Sequence, residues 1–137
     1  MSLSVGQKSA LEIQRGILQA EDDIVLAVQD ALNKTTTYGN LEESQFRNLV
    51  RVADSTESTE AIKNFLRYQT GRDNKWGTGK NSLAEKLIED FEQLLKKQAT
   101  DIANKAKTED IKSIHIKLIR LYLGYGARHL KYLKPSN

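Results

Sequence analysis

The stretch AIKNFLRYQTGRDNKWGTGK, Ala61 to Lys80, decides how the rest of the chain is to be read. Ile62, Phe65, Leu66 and Gln69 fall at i, i+3, i+4 and i+7, the spacing of one helix face, while Lys63, Arg67 and Gly71 line a neighbouring stripe. Gly71 suits a C-terminal cap, after which Arg72 to Lys80 reads as a mobile basic loop containing Trp76. Five cations against one acid give the stretch a net charge of +4.

Working outward, the same three-and-four spacing recurs on both sides. Upstream, Ala10, Ile13, Ile17, Ala20, Ile24, Ala27 and Ala31 form the seam of a long first helix. Leu11, Leu18, Val25 and Leu32 widen it enough to pack on two neighbours. Lys34 to Asn40 reads as a loop. Phe46, Leu49, Val50 and Ala53 face inward from a second helix that carries Arg47 and Arg51 on an outer stripe. Downstream, Ser82-Leu-Ala-Glu85 has the pattern of a capping box, followed by Leu83, Leu87, Phe91, Leu94 and Ile102; Thr108-Glu-Asp110 then opens a fifth helix. The spacing predicts an all-α, single-domain bundle over residues 1–137 with about five helices, approximately 7–33, 41–54, 57–71, 82–106 and 109–133. A lone proline, Pro135, near the end of 137 residues agrees with that reading.

The chain has no cysteine and no apolar run long enough to span a bilayer, and its first residues lack the pattern of a signal peptide. The expectation is a soluble, cytoplasmic protein. The net charge of +3 conceals an uneven distribution: residues 111–137 carry six cations and no acid, so the remainder outside 61–80 is acidic. Two basic stretches on an acidic background point to an anionic partner, with nucleic acid the commonest.

The fifth helix sorts into three directions. Ile111, Ile114, Leu118, Leu121, Tyr122, Tyr125 and Tyr132 make a core face. Lys117, Arg120, Gly124, Arg128 and Lys131 make a basic stripe, and Ile119, Leu123 and Leu130 a third, apolar direction read as a protein interface or a self-association surface. Gly124 and Gly126 inside a helix imply a close approach by another helix or a phosphate. If the fifth helix lies beside the third, the two basic faces merge into one groove for a phosphate backbone, with Trp76 and Tyr68 positioned to stack on bases.

The patterns that carry catalysis are missing. Asn74-Lys-Trp-Gly-Thr-Gly-Lys-Asn81 imitates a P-loop, but it lacks the first glycine and the Ser or Thr that holds magnesium, and it follows a helix rather than a strand. Its amides and the next helix N-terminus are left with, at most, one backbone phosphate. His115 and His129 lie about four turns apart without the Glu-x-x-His companions of a metal site. Neither follows an arginine at the spacing used by helical ribonucleases of the HEPN type. Glu89-Asp90 is placed on the solvated side of its helix. The expectation is a non-enzyme without cofactor or metal.

The order of signals resembles the small subunit of type III CRISPR effector complexes of the Csm kind. It rests on Phe46-Arg-Asn-Leu49, Ile62-Lys63 leading into Tyr68-Gln-Thr-Gly-Arg72, a long helix, and Leu123-Gly-Tyr-Gly-Ala-Arg-His129 in an aromatic, basic last helix, with Leu123-Gly124 standing where the family has Glu-Ala. The resemblance implies a non-catalytic subunit lying along guide RNA and target RNA beside other effector-complex subunits, contacting backbone without reading sequence. Arg47, Lys63 and Arg72 carry that role by motif; Arg67, Lys75, Trp76, Lys80, Lys117, Arg120, Arg128 and Lys131 join them by position on the basic faces. The rival expectation is a helical adaptor that binds only protein, through Ile119, Leu123 and Leu130.

Overall fold

In the computed structural model, which describes residues 2–135, each helix begins where a side chain takes over an orphan amide. Helix α1 (Val5–Asn33) starts at Ser4, whose hydroxyl accepts from Gln7 N while the Gln7 side chain accepts from Ser4 N, a reciprocal box. It stops at a run of three threonines, where the Tyr38 hydroxyl donates to the Leu32 carbonyl at 2.7 Å. Helix α2 (Glu43–Ser55) and helix α3 (Thr59–Arg72) are joined by a short turn, with Ser58 capping α3 through Ala61 N at 3.1 Å. Gly71 lies inside the last turn of α3 rather than capping it, and the Asp73 amide closes that end on Gln69 O.

Helix α4 runs over residues 83–106 as Leu83–Asp90, a π-helical turn Phe91–Leu95, and Lys96–Ala106. Its cap is half the expected box: Ser82 accepts from Glu85 N, but the Glu85 carboxylate reaches out to Arg67. Helix α5 (Ile111–Leu133) is capped by Asp110 through Ser113 N, two residues later than the sequence suggests. Five helices, with no strand among the described residues, form one all-α domain.

Helix α5 is the axis of the bundle, flanked by α1, α2 and the π turn and C-terminal half of α4. That position explains its three apolar directions. Ile119, Leu123 and Leu130, expected at a protein interface, have no solvent exposure at all and belong to the domain's own core. Conversely Tyr132, expected in the core, is exposed. Gly126 marks the tightest crossing: a Cβ there would lie 2.6 Å from Phe46 Cζ and 2.9 Å from Val28 Cγ2, so only glycine lets α1 and α2 close on α5. The partner that the two glycines imply is therefore a pair of helices, and only at Gly126; space around Gly124 is open.

The π turn in α4 is fastened by α5. His115 Nε2–H donates to the Phe91 carbonyl at 2.7 Å, and the Tyr122 hydroxyl donates to Asp90 at 2.5 Å. Burial pushes the Tyr122 phenol well above its usual range, and the adjacent Asp90 charge adds to the shift. Asp90, expected on a solvated face, is instead buried, with Lys86 Nζ 3.1 Å away as its counter-charge. On α1 the expected seam packs inward from Ile13 onward, but Ala10 is exposed, and Leu11 and Leu18 point outward, because α4 and α5 together cover only one side of the helix.

Candidate nucleic-acid interface

The basic residues divide by what they touch. Arg120 lies flat on the end of α2: Nε donates to Ala53 O and Nη2 to Thr56 O, both at 2.9 Å, with Glu57 3.1 Å away. A helix C-terminus leaves carbonyls unsatisfied and carries partial negative charge, so a guanidinium there both donates and neutralises. Expected on an open stripe, Arg120 is instead an internal fastener between α5 and α2. Lys63 is similar. Only 9% exposed, it sets its ammonium 2.8 Å from Glu92 and 2.9 Å from Glu60. Those hydrogen bonds raise the Lys63 pKa, and the one to Glu92 holds that carboxyl below its usual range. Lys134 closes the other end, with Nζ 3.1 Å from Leu41 O and over the Tyr38 ring.

A second group is exposed but paired: Arg47 with Glu43 at 3.1 Å, and Arg67 with Glu85 at 3.4 Å. The Arg67 pair also answers the phosphate reading of the 74–81 loop. Glu85 already stands in the first turn of α4, so a carboxylate occupies the approach to that N-terminus beside Lys80 and Gly79. On α5, Lys117 is exposed and Arg128 lies over the Tyr125 ring, facing a hollow shared with α1; Lys131 is half-buried. Since α3 packs on α2 and α4, the basic faces of α3 and α5 do not merge: α2 stands between them, and Arg120 is drawn to its end.

What does converge is a groove of about 650 Å³ between α2 and α3, closed at one end by the loop after α3. Arg51, Arg72 and Lys75 reach it, with Asp73 the one acid among the described lining residues, a local balance of +2. Among the described residues none of these three cations has a carboxylate ion pair, and Asp73 is engaged by the Lys75 amide at 2.9 Å. Gln45, Asn48 and Gln69 line the walls with amides, and Tyr68, 61% exposed, lies under the Arg72 guanidinium at 5.8 Å. Trp76 forms part of the lining but is only 2% exposed, its ring 5.6 Å from that of Phe46. It cannot stack on a base. It acts as the anchor of the loop, together with Lys75 O accepting from Gly39 N and Trp76 O accepting from Ala84 N.

The loop expected to be mobile is therefore built. Gly77, at φ +88°, passes so close to Thr37 O that any Cβ would overlap it, which holds Lys75 against the groove. Arg51 is the groove residue that sequence reading passed over. Its signal was the 45, 48, 51/52 spacing on α2, which puts two amides and a guanidinium on one face. Among the described residues there is no cluster of three His, Asp or Glu side chains able to hold a metal, and no helix is long and apolar enough to cross a membrane. No family model, no curated protein and no solved structure matches this chain.

Proposed function

We propose that this protein holds the backbone of an RNA strand in the α2–α3 groove, without reading sequence and without catalysing a reaction on it. The observation that carries the reading is the convergence of Arg51, Arg72 and Lys75, all without carboxylate partners among the described residues, beside an exposed tyrosine in a groove walled by amides. Guanidinium and ammonium groups neutralise phosphates, the amides add adaptable hydrogen bonds, and the Tyr68 ring offers a stacking surface that accepts any base. The resemblance to the small subunit of type III CRISPR effector complexes supplies the setting: guide RNA and target RNA as ligands, other effector-complex subunits as neighbours. Arg47 and Arg67 lie outside the groove lining, paired with Glu43 and Glu85, Lys80 borders a separate hollow with Glu85, and Lys63 and Arg120 fasten α3 and α2 from inside.

The test is the salt dependence of binding to single-stranded RNA of mixed sequence, with Arg51, Arg72 and Lys75 replaced together by glutamine. Loss of affinity with a flatter salt slope supports the groove; unchanged binding at every salt concentration removes it. Co-purification of a guide RNA with the protein from its native host tests the CRISPR setting separately. The protein-adaptor reading survives in altered form: Ile119, Leu123 and Leu130 are interior, but α1 exposes leucines of its own.

A further inference from the structure

The outer face of α1 carries Leu11, Leu18 and Leu26 at 46%, 62% and 57% exposure, while the opposite face of the same helix is packed on α4 and α5. At about 100° per residue the three leucines fall within roughly 80° of one another, with Arg15 and Asp22 between them. Their order along the helix is symmetric. Leu11 and Leu26 are equidistant from the midpoint between Leu18 and Gln19, and so are Arg15 and Asp22.

We propose that this face is the docking surface for a second copy of the same chain, with the two α1 helices antiparallel about a two-fold axis between residues 18 and 19. In that register Leu11 of one copy meets Leu26 of the other, Leu18 crosses near itself at the axis, and each Arg15 meets the Asp22 of its partner. Asp22 has no ion pair within its own chain among the described residues. Arg15 touches Glu12 at 2.7 Å but leaves its side chain 63% exposed, free to reach outward. Flanking positions raise no conflict, since Lys8 falls opposite Gln29 and Glu12 opposite Val25. A parallel pairing would instead set Arg15 on Arg15 and Asp22 on Asp22, like charges that select against it. Antiparallel helices also oppose their dipoles favourably. With three leucines and one ion pair from each side the interface is small, so the dimer is weak and reversible. The proposal does not depend on what the α2–α3 groove binds, but it places two such grooves on one assembly.

Sedimentation across a concentration series, with circular dichroism as the control for folding, tests it. The wild type should pass reversibly from monomer to dimer. Leu18→Asp, which places two carboxylates at the axis, should raise the dissociation constant at least about tenfold. Arg15→Glu and Asp22→Arg should each weaken the dimer a few-fold, and the two changes in one chain should restore it, because every ion pair is then rebuilt with its signs exchanged. These charge variants are at exposed positions, so they decide the matter even if Leu18→Asp disturbs the helix. A wild type that stays monomeric up to about 1 mM, or a combined charge variant as weak as both single losses added together, overturns the proposal.

Discussion

Arg120 and Arg72 show what the two basic regions of the molecule have become. Both are guanidiniums on helices that sequence alone assigns to one phosphate-binding surface. Arg120 donates to two backbone carbonyls and approaches Glu57, whereas Arg72 rests on the Tyr68 ring at the mouth of a groove. The difference is topological. Helix α5 is the axis of the bundle, so Arg120 on its α2-facing flank meets a neighbouring helix end before it meets solvent. Helix α3 lies at the periphery, and its last turn has solvent to one side. A net positive charge on a segment therefore says little about partners until the acceptors already within reach of each cation are known.

The largest expected effect follows from the interior member of the pair. Arg120→Ala removes three donor contacts and leaves the Ala53 and Thr56 carbonyls without their donor, which should destabilise the fold by about 3 kcal/mol. Thermal and urea denaturation measure it. RNA affinity of the folded fraction should be nearly unchanged. If Arg120→Ala instead weakens RNA binding strongly while the melting temperature stays put, the division between fastening and binding cations is wrong.

Next comes the groove. Each phosphate contact to a single strand contributes about 0.7 to the slope of log affinity against log salt, so three contacts contribute about two log units between 1 M and 0.1 M salt. Replacing Arg51, Arg72 and Lys75 together by glutamine should then lower RNA affinity about a hundredfold near 0.1 M salt and flatten the slope by about 2. Because all three lack ion pairs among the described residues, the melting temperature should hardly move, the reverse of the Arg120 result.

Lys63 gives an intermediate effect and a pH signature. Glu92 titrates below its usual 4.5 because Lys63 hydrogen-bonds to it, so its contribution to stability is complete above that value and is lost as pH falls through the lowered folded pKa. Lys63 titrates above its usual 10.5, so its contribution is complete below that value and is lost as pH rises through the raised folded pKa. Lys63→Met should lower stability by roughly 1–2 kcal/mol between those limits, since one partner carboxylate is largely exposed and the other partly so. It should also flatten the acid limb of the stability profile and leave RNA binding alone. An unchanged acid limb would show that the pair does not couple to folding.

Helix existence and order were legible because the three-and-four spacing of apolar residues is a property of each segment alone. The boundaries observed for α1 and α5 lie within two residues of those expected. Three things were not legible. Leu83, Leu87, Phe91, Leu95, Ala99 and Ala103 are all fully buried at a constant spacing of four. In a regular α-helix that row would drift by about 200°, a conflict the π turn partly absorbs. The repeat was visible in the sequence, but an α-helical template assigns Leu94 to the face instead of Leu95. The burial of Ile119, Leu123 and Leu130 depended on α5 having neighbours on three sides, and amphipathicity within one helix cannot count neighbours. The groove depended on α2 and α3 meeting the loop after α3, so it was only half visible: Arg72 and Lys75 stood out by charge, while Arg51 needed the pairing of α2 with α3.

The smallest expected effect is the one that most sharpens the contrast between the two basic regions. Arg128 is exposed on α5, with its guanidinium 5.6 Å from the Tyr125 ring, whose hydroxyl donates to Glu21. A cation over an exposed ring contributes about 0.5 kcal/mol, so Arg128→Gln should cost little stability. It faces the hollow between α1 and α5, away from the α2–α3 groove, so it can influence a strand there only through the screened field of the whole protein. RNA affinity near 0.1 M salt should therefore change by less than about twofold, with no measurable change in salt slope, while Arg72→Gln alone should flatten that slope by about 0.7. Titrations of the two single variants against the same RNA make the comparison direct. Equal losses for Arg128→Gln and Arg72→Gln would mean that the strand runs over α5 as well, and that the groove is one part of a longer track rather than the site itself.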